Sequence, residues 1–229
     1  MIQKKSSKRW QAFLINFIMI MLSLCCVVPL LLILSAAFTD ESALARNGYQ
    51  FIPSQFSIEA FRYIFKSPKQ ILTSYGVTIF VTVVGTVVSL IFTAMLAYVS
   101  SRKDFKFQRL LSFLIFFTLL FNGGMVPSYI MNTQIYHLKD TIWSMILPYI
   151  IIPWHVFLMK GFFADIQMSL VEAAKIDGAS EVFTFFKIIL PVSKPALATV
   201  GLFCAFTYWN DWWLSMLYIN DAKLTSLQY

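Results

Sequence analysis

The residues of this chain whose types and spacing could do work lie between Gly161 and Lys194. Glu172-Ala173-Ala174 is followed after three residues by Gly178, and after nine more by Ile188, Leu190 and Pro191. The work they suit is mechanical rather than covalent. Ser169 and Glu172 have the Ser-x-x-Glu spacing of a capping box, in which the hydroxyl accepts from an early helical amide and the carboxylate reaches back. Gly178 stands where a left-handed residue would end that helix, and Ser180 is placed to cap a second one, Glu181 to Ile189, before Pro191. The first helix would hold about eight residues and span roughly 12 Å. Ala173 and Ala174 keep one of its faces small, so another surface can approach closely. The segment therefore predicts a helix–turn–helix shaped as a plug for a partner's groove. Its length, for a connection between helices, also points to function.

The surrounding chain is built for lipid. Of 229 residues, 59% are apolar and 13% charged, against roughly 45–50% and about 25% in a soluble domain. This excludes a disordered tail, a disulfide-stapled secreted module and an ordinary cytosolic enzyme. A crossing helix needs about 20 mostly apolar residues. Five runs qualify: residues 12–38, 71–101, 110–131, 141–159 and 195–219. The first is longer than the apolar core of a cleavable signal and reads as a retained anchor. Lys and Arg set the orientation. Lys4, Lys5, Lys8 and Arg9 precede the first run. Arg102, Lys103, Lys106 and Arg109 follow the second. Lys160, Lys175, Lys187 and Lys194 follow the fourth. These alternate to one side, which places residues 1–11 and the loop 161–194 in the cytoplasm. The linker 39–70 and the chain end fall outside. In that linker Ile58, Phe61 and Phe65 repeat at helical spacing and predict a short amphipathic helix.

A few polar groups interrupt the apolar runs. Asp211, beside Trp209, Asn210, Trp212 and Trp213, lies near the outer end of the fifth run. It reads as a hydrated acid in an aromatic belt, with a saccharide contact at the mouth of a translocation path as the sharper alternative. Asn122-Gly123-Gly124 with Pro127 breaks the third run, as a turn or as part of a binding site. His155 is expected to satisfy the carbonyl that Pro153 frees, with a proton relay as the alternative. Thr78, Thr82, Gly85, Thr86, Ser89 and Thr93 lie near one helical face and predict close helix packing, with lining of a cavity by part of the stripe as the alternative. Cys25, Cys26 and Cys204 have no ligand spacing and read as small buried hydrophobes. No G-x-x-x-x-G-K-[ST], H-E-x-x-H, G-x-S-x-G or C-x-x-C is present, so no catalytic residue, metal site or cofactor is expected. The basic segments are short and flank the membrane runs, which gives nucleic acid no support.

The spacing Glu172-Ala173-Ala174, Gly178, Ile188, Leu190-Pro191 matches the EAA---G---------I-LP signature of ABC importer permeases at every fixed position. The wider chain resembles the maltose-type carbohydrate permeases. The runs NGGMVPSYI (Asn122–Ile130) and YWNDWWLSMLYI (Tyr208–Ile219) look most like those of complex-oligosaccharide permeases. The resemblance implies an all-α polytopic membrane fold, the transmembrane domain of a type I importer over residues 12–229, with five spans of an expected six. It implies that Glu172, Ala173, Ala174, Gly178, Ile188, Leu190 and Pro191 belong to a coupling loop that docks on separate ATPase subunits, and that Asn122, Trp209, Asn210, Asp211 and Trp212 line the path. The implied partners are a second, homologous permease, two ATPase subunits, an extracytoplasmic solute-binding protein and lipid. ATP would be bound by the ATPases and not by this chain, which would be a multi-pass protein of the bacterial plasma membrane and no enzyme. A permease for a non-sugar solute, an ion-coupled transporter and a membrane-embedded enzyme are the alternatives, the last needing a polar cluster that isolated Asp211 and His155 do not make.

Overall fold

A computed structural model describes residues 4–66 and 68–229; residues 1–3 of the expected N-terminal segment and Ser67 fall outside the described residues. The described chain is helical and separates into two compact units, with the boundary at Pro68.

The first unit begins with α1 (Lys4–Ala37). Its side chains from Trp10 to Leu34 are exposed apolar groups almost throughout, as a helix in lipid requires. Cys25 and Cys26 are exposed on it, so the burial expected of them is not found; an all-round apolar helix has no inner face to hide them. Thr39 and Phe56 form an isolated antiparallel bridge. Between them lies α2 (Glu41–Asn47), where Asp40 accepts from the Ser42 and Ala43 amides. The expected amphipathic helix is α3 (Glu59–Lys66), and the Ser57 hydroxyl accepts from the Glu59 amide. Phe38 packs on the rings of Phe56 and Phe61 at 5.6 and 5.2 Å.

The second unit is organised around α4 (Pro68–Ser101). Then follow α5 (Gln108–Leu120), α6 (Met125–Ile130) with a π-turn over Met131–Ile135, and α7 (Trp143–Ile146) with a 3-10 turn over Leu147–Tyr149. Next come α8 (Pro153–Ala164), α9 (Met168–Ile176) and α10 (Glu181–Thr184), with a π-turn over Phe185–Ile189. The unit closes with α11 (Leu190–Val192), α12 (Lys194–Trp209) and α13 (Trp213–Tyr218). Only two described helices, Trp10–Ala37 and Pro68–Ser101, are long and apolar enough to cross a membrane alone; counting each of three bent pairs as one span gives up to five. The last of these pairs joins Glu181–Val192 to Lys194–Trp209 at 85° and so does not coincide with the run at 195–219. The run at 110–131 is not one helix. It ends at Leu120 and turns by 110° into residues 125–135. Gly124 adopts φ +89° there, and the Asn122 carboxamide accepts from its amide at 2.9 Å. The run at 141–159 bends by 50° between Tyr149 and Pro153. The run at 195–219 breaks at Asn210–Trp212, between α12 and α13.

Each break frees backbone carbonyls, and in apolar surroundings those need partners. Pro153 has no amide to offer the Tyr149 carbonyl; the Ser89 hydroxyl of α4 donates to it at 3.3 Å. The Ile150 amide bonds to Leu147, which leaves the Ile146 carbonyl to the Tyr208 hydroxyl at 2.9 Å. His155 thus does not serve the carbonyl freed by Pro153. Ser89 already occupies it, and His155 Nδ1 lies 3.5 Å from the Cys204 thiol instead. Cys204 is buried, as expected. Along α4, Thr78, Gly85, Ser89 and Thr93 are buried and Thr82 and Thr86 half-buried, so the small-residue face packs against neighbouring helices.

At Gly85 a side chain of α12 lies directly over α4. A Cβ on it would sit 2.7 Å from the Tyr208 ring, and that ring is tethered through its hydroxyl. Gly85→Ala is expected to cost about 1–3 kcal/mol, as overpacking of a fixed neighbour does. Gly76→Ala on the same helix meets nothing within 4 Å and should stabilise by about 0.5–1 kcal/mol through helix propensity. Thermal unfolding of both variants in mild detergent checks the contrast.

Candidate functional site

The N-cap position of helix α9 lies two residues before the expected cap. Gln167 is extended at its N-cap position with no side-chain capping bond, and the Leu170 amide bonds to the Gln167 carbonyl. Ser169 is consequently inside the first turn, where its hydroxyl cannot cap, and the capping box with Glu172 does not form. The C-terminal end follows the sequence. Gly178 has φ +76°; its amide donates to the Lys175 carbonyl at 3.1 Å and the Ala179 amide to the Ala174 carbonyl at 2.9 Å. These two bonds make a Schellman turn. Ser180 then caps α10, its hydroxyl accepting from the Phe183 amide. The second helix runs on past its expected end at Ile189 to Val192. The π-turn over 185–189 shifts the bonding pattern ahead of Pro191, which lies in the first turn of α11, where an absent amide does least harm.

Helix α9 has two faces. Val171 and Ala174 are buried, at 3% and 5% exposure. Val171 joins the apolar cluster of Ala97, Tyr98, Phe163, Phe185 and Ile189. The opposite side presents Glu172 and Ala173, with Ile176 at 86% exposure. Of the expected docking residues, Glu172, Ala173 and Gly178 are therefore exposed on one short segment, while Ala174 faces inward. Ile188 and Leu190 are half-buried and Pro191 exposed on the second helix, around the fully buried Ile189. Val182 and Phe183 add exposed apolar surface at the start of that helix. A cavity of about 270 Å³ lies behind the loop, lined by Tyr98, Arg102, Phe163, Val171 and Ile189 among others.

The loop is tied to the end of α4 by charge. Arg102, 8% exposed, grips Asp104 through both Nε and Nη2. Its Nη1 donates to Glu181 Oε2 at 2.9 Å and to the Tyr98 hydroxyl. Lys175 Nζ lies 2.9 Å from Asp104 Oδ2 and 3.3 Å from Glu181 Oε1. The hydrogen bonds that Arg102 donates to Asp104 raise the Arg102 pKa and hold Asp104 well below the usual carboxylate range. Donation to Asp104, and then to Glu181, raises Lys175. Burial pushes Glu181 up, but Arg102 and Lys175 together outweigh it and leave its carboxyl lowered. In the sequence these four residues look like topological charges or solvated ends. Their only local signal is the Arg-x-Asp spacing after an apolar run.

At the other end of the second unit, Tyr149 donates to Asp211 Oδ1 at 3.0 Å, and Asp211 Oδ2 accepts from the Leu214 amide at 3.1 Å. Asp211 is half-buried and holds the start of α13. A cavity of about 630 Å³ nearby is lined by Asn122, Asn132, Tyr149, Trp213 and Tyr218 among others. Asn122 is thus placed in a lining, whereas Trp209, Asn210 and Trp212 are exposed and outside it. Asp211 is not in that lining and bonds to two residues that are, Tyr149 and Leu214. Among the described residues no group of three His, Cys, Asp or Glu side chains is placed to hold a metal ion.

The strained turn at Gly178 makes a direct prediction. No neighbour lies within 4 Å of a Cβ there, so Gly178→Ala should cost only the left-handed backbone penalty, about 1–2 kcal/mol, and Gly178→Asn less. Hydrogen exchange at the Gly178 and Ala179 amides should quicken accordingly, in that order.

Residues 101–214 match the family described as binding-protein-dependent transport system inner membrane component. Protein LplC of Bacillus subtilis (strain 168) is 42% identical over 202 residues, 88% of this chain and 68% of that protein. The polygalacturonan/rhamnogalacturonan transport system permease protein YtcP of the same organism is 41% identical over 215 residues, 94% of this chain and 74% of that one. The arabinooligosaccharides transport system permease protein AraQ of Halalkalibacterium halodurans is 33% identical over 201 residues, covering 85% and 72%. A chain in the crystal structure of a bacterial ABC transporter involved in the import of the acidic polysaccharide alginate matches with a TM-score of 0.83 and 30% identity, over all of this chain and 81% of that chain. The present chain belongs to the binding-protein-dependent transport system inner membrane component family: it is a multi-pass, all-α permease of an ABC importer.

Proposed function

We propose that this permease carries an oligosaccharide, and that the exposed side of α9, with Gly178 and the start of α10, is the surface on which an ATPase subunit docks. The observation behind the docking reading is the division of α9. Val171 and Ala174 are spent on the chain's own core, while Glu172, Ala173 and Ile176 remain uncovered. An isoleucine at 86% exposure outside the apolar runs has no lipid to explain it. A neighbouring Ala173 leaves room for a partner to close over it. The saccharide reading is supported by the names of the similar permeases, which carry polygalacturonan/rhamnogalacturonan and arabinooligosaccharides, and by the alginate importer. On this reading the N-terminus is cytoplasmic, a second permease completes the path, two ATPases bind beneath and a solute-binding protein delivers from outside. The chain itself catalyses nothing and binds no nucleotide.

Affinity purification of the tagged chain from its native membrane in mild detergent, with mass spectrometry of what accompanies it, tests this. Wild type should recover an ATPase and a second permease. Ile176→Asp and Ala173→Trp should each reduce ATPase recovery at least about tenfold, the effect of ~1.4 kcal/mol, while leaving the second permease bound. Unchanged ATPase recovery in both variants would contradict the assignment of the docking face.

A further inference from the structure

We propose that Arg102, Asp104, Lys175 and Glu181 form an ionic clamp that fixes the α9–α10 loop to the end of α4, so that loop and helix move as one piece when the docking face is displaced. The four are positioning residues of transport. The inference rests on the docking reading and adds which helix receives the displacement.

The chain joins the loop to α8 and to α11, but not to α4; Arg102 and Glu181 are 79 positions apart. The apolar contacts between loop and α4, such as Tyr98 on Phe185 at 5.2 Å, are non-directional and permit sliding. The clamp is directional. Its charges alternate around a ring, from Arg102 to Asp104 to Lys175 to Glu181 and back to Arg102, with one contact of each kind within 3.3 Å. Asp104 accepts from both cations, and Glu181 accepts from both and from Tyr98. Lys175 and Glu181 stand three residues either side of Gly178, so the left-handed turn is what carries Glu181 onto Arg102 and Lys175 onto Asp104. Exposed ion pairs contribute little singly. Here the central guanidinium is largely buried, and removing a carboxylate leaves its charge poorly compensated.

The test measures rigidity directly. In a Cys25→Ala, Cys26→Ala background, nitroxide labels at Lys103→Cys and Asp177→Cys report the distance between the end of α4 and the loop by pulsed electron resonance. The purified complex is measured with and without AMP-PNP as the nucleotide. The clamp predicts one narrow distribution that keeps its width when AMP-PNP binds. Glu181→Gln should broaden it about twofold, with ATPase recovery retained; local release of a tethered segment has this signature. Lys175→Gln, at the surface, should broaden it less, and Glu172→Gln, outside the ring, should leave it unchanged. Equal widths in wild type, Glu181→Gln and Lys175→Gln would overturn the clamp. So would loss of the ATPase in Glu181→Gln, which would make the residue part of the docking face. If wild type recovers no ATPase, the docking reading fails, and the widths measured on the chain alone still decide whether the clamp exists.

Discussion

A guanidinium held between two carboxylates at the end of α4 is the interaction on which the arrangement of the loop depends. Arg102 is too well buried to be left to water, and burying a charge without partners is costly. Asp104 comes from the same turn of chain. Glu181 comes from the far side of the Gly178 turn, and Lys175 closes the ring from the near side. Once these four are set, α9 has little freedom to rotate. Val171 and Ala174 face the core, and Glu172, Ala173 and Ile176 face away from it. The two-faced helix is the structural basis of the docking proposal.

The rest of the second unit answers a different requirement. Its crossing elements are mostly broken helices, and every break releases backbone groups that lipid cannot satisfy. Two replacements come from other helices, Ser89 for the Tyr149 carbonyl and Tyr208 for the Ile146 carbonyl, and one is local, the Asp211 carboxylate for the Leu214 amide. The small face of α4 makes the first two possible, since Gly85 admits the Tyr208 ring of α12 and Ser89 reaches the Tyr149 carbonyl. Polar residues that look isolated along the chain are thus hydrogen-bonding partners in space. That is the role the structure gives Asp211 and Ser89.

How much of this is legible in the sequence follows from the range of each interaction. The turn at Gly178 and the cap at Ser180 are local and are read directly from spacing. So are the apolar runs and the helix at 59–66. The capping box fails because Gln167 starts α9 earlier, and propensity alone does not choose between two adjacent starts. Asp40 capping α2 is a local Asp-x-Ser signal that goes unread. The pairing of Arg102 with Glu181, and of Ser89 with the carbonyl ahead of Pro153, depends on how separate helices pack, and no single-sequence pattern carries that. The reading of His155 goes astray for the same reason: its proximity to Pro153 along the chain is visible, while the nearer hydroxyl on α4 is not.

The central claim is that α9 spends one face on its own chain and offers the other to an ATPase. Site-specific photo-cross-linking in the native membrane tests it most directly, with the cross-linking amino acid placed singly at Ile176, at Val171 and, on α12, at Phe203. The account predicts an ATPase adduct from Ile176 and none from Val171 or Phe203. An adduct from Val171 equal to that from Ile176, or an ATPase adduct from Phe203 with none from Ile176, would contradict it.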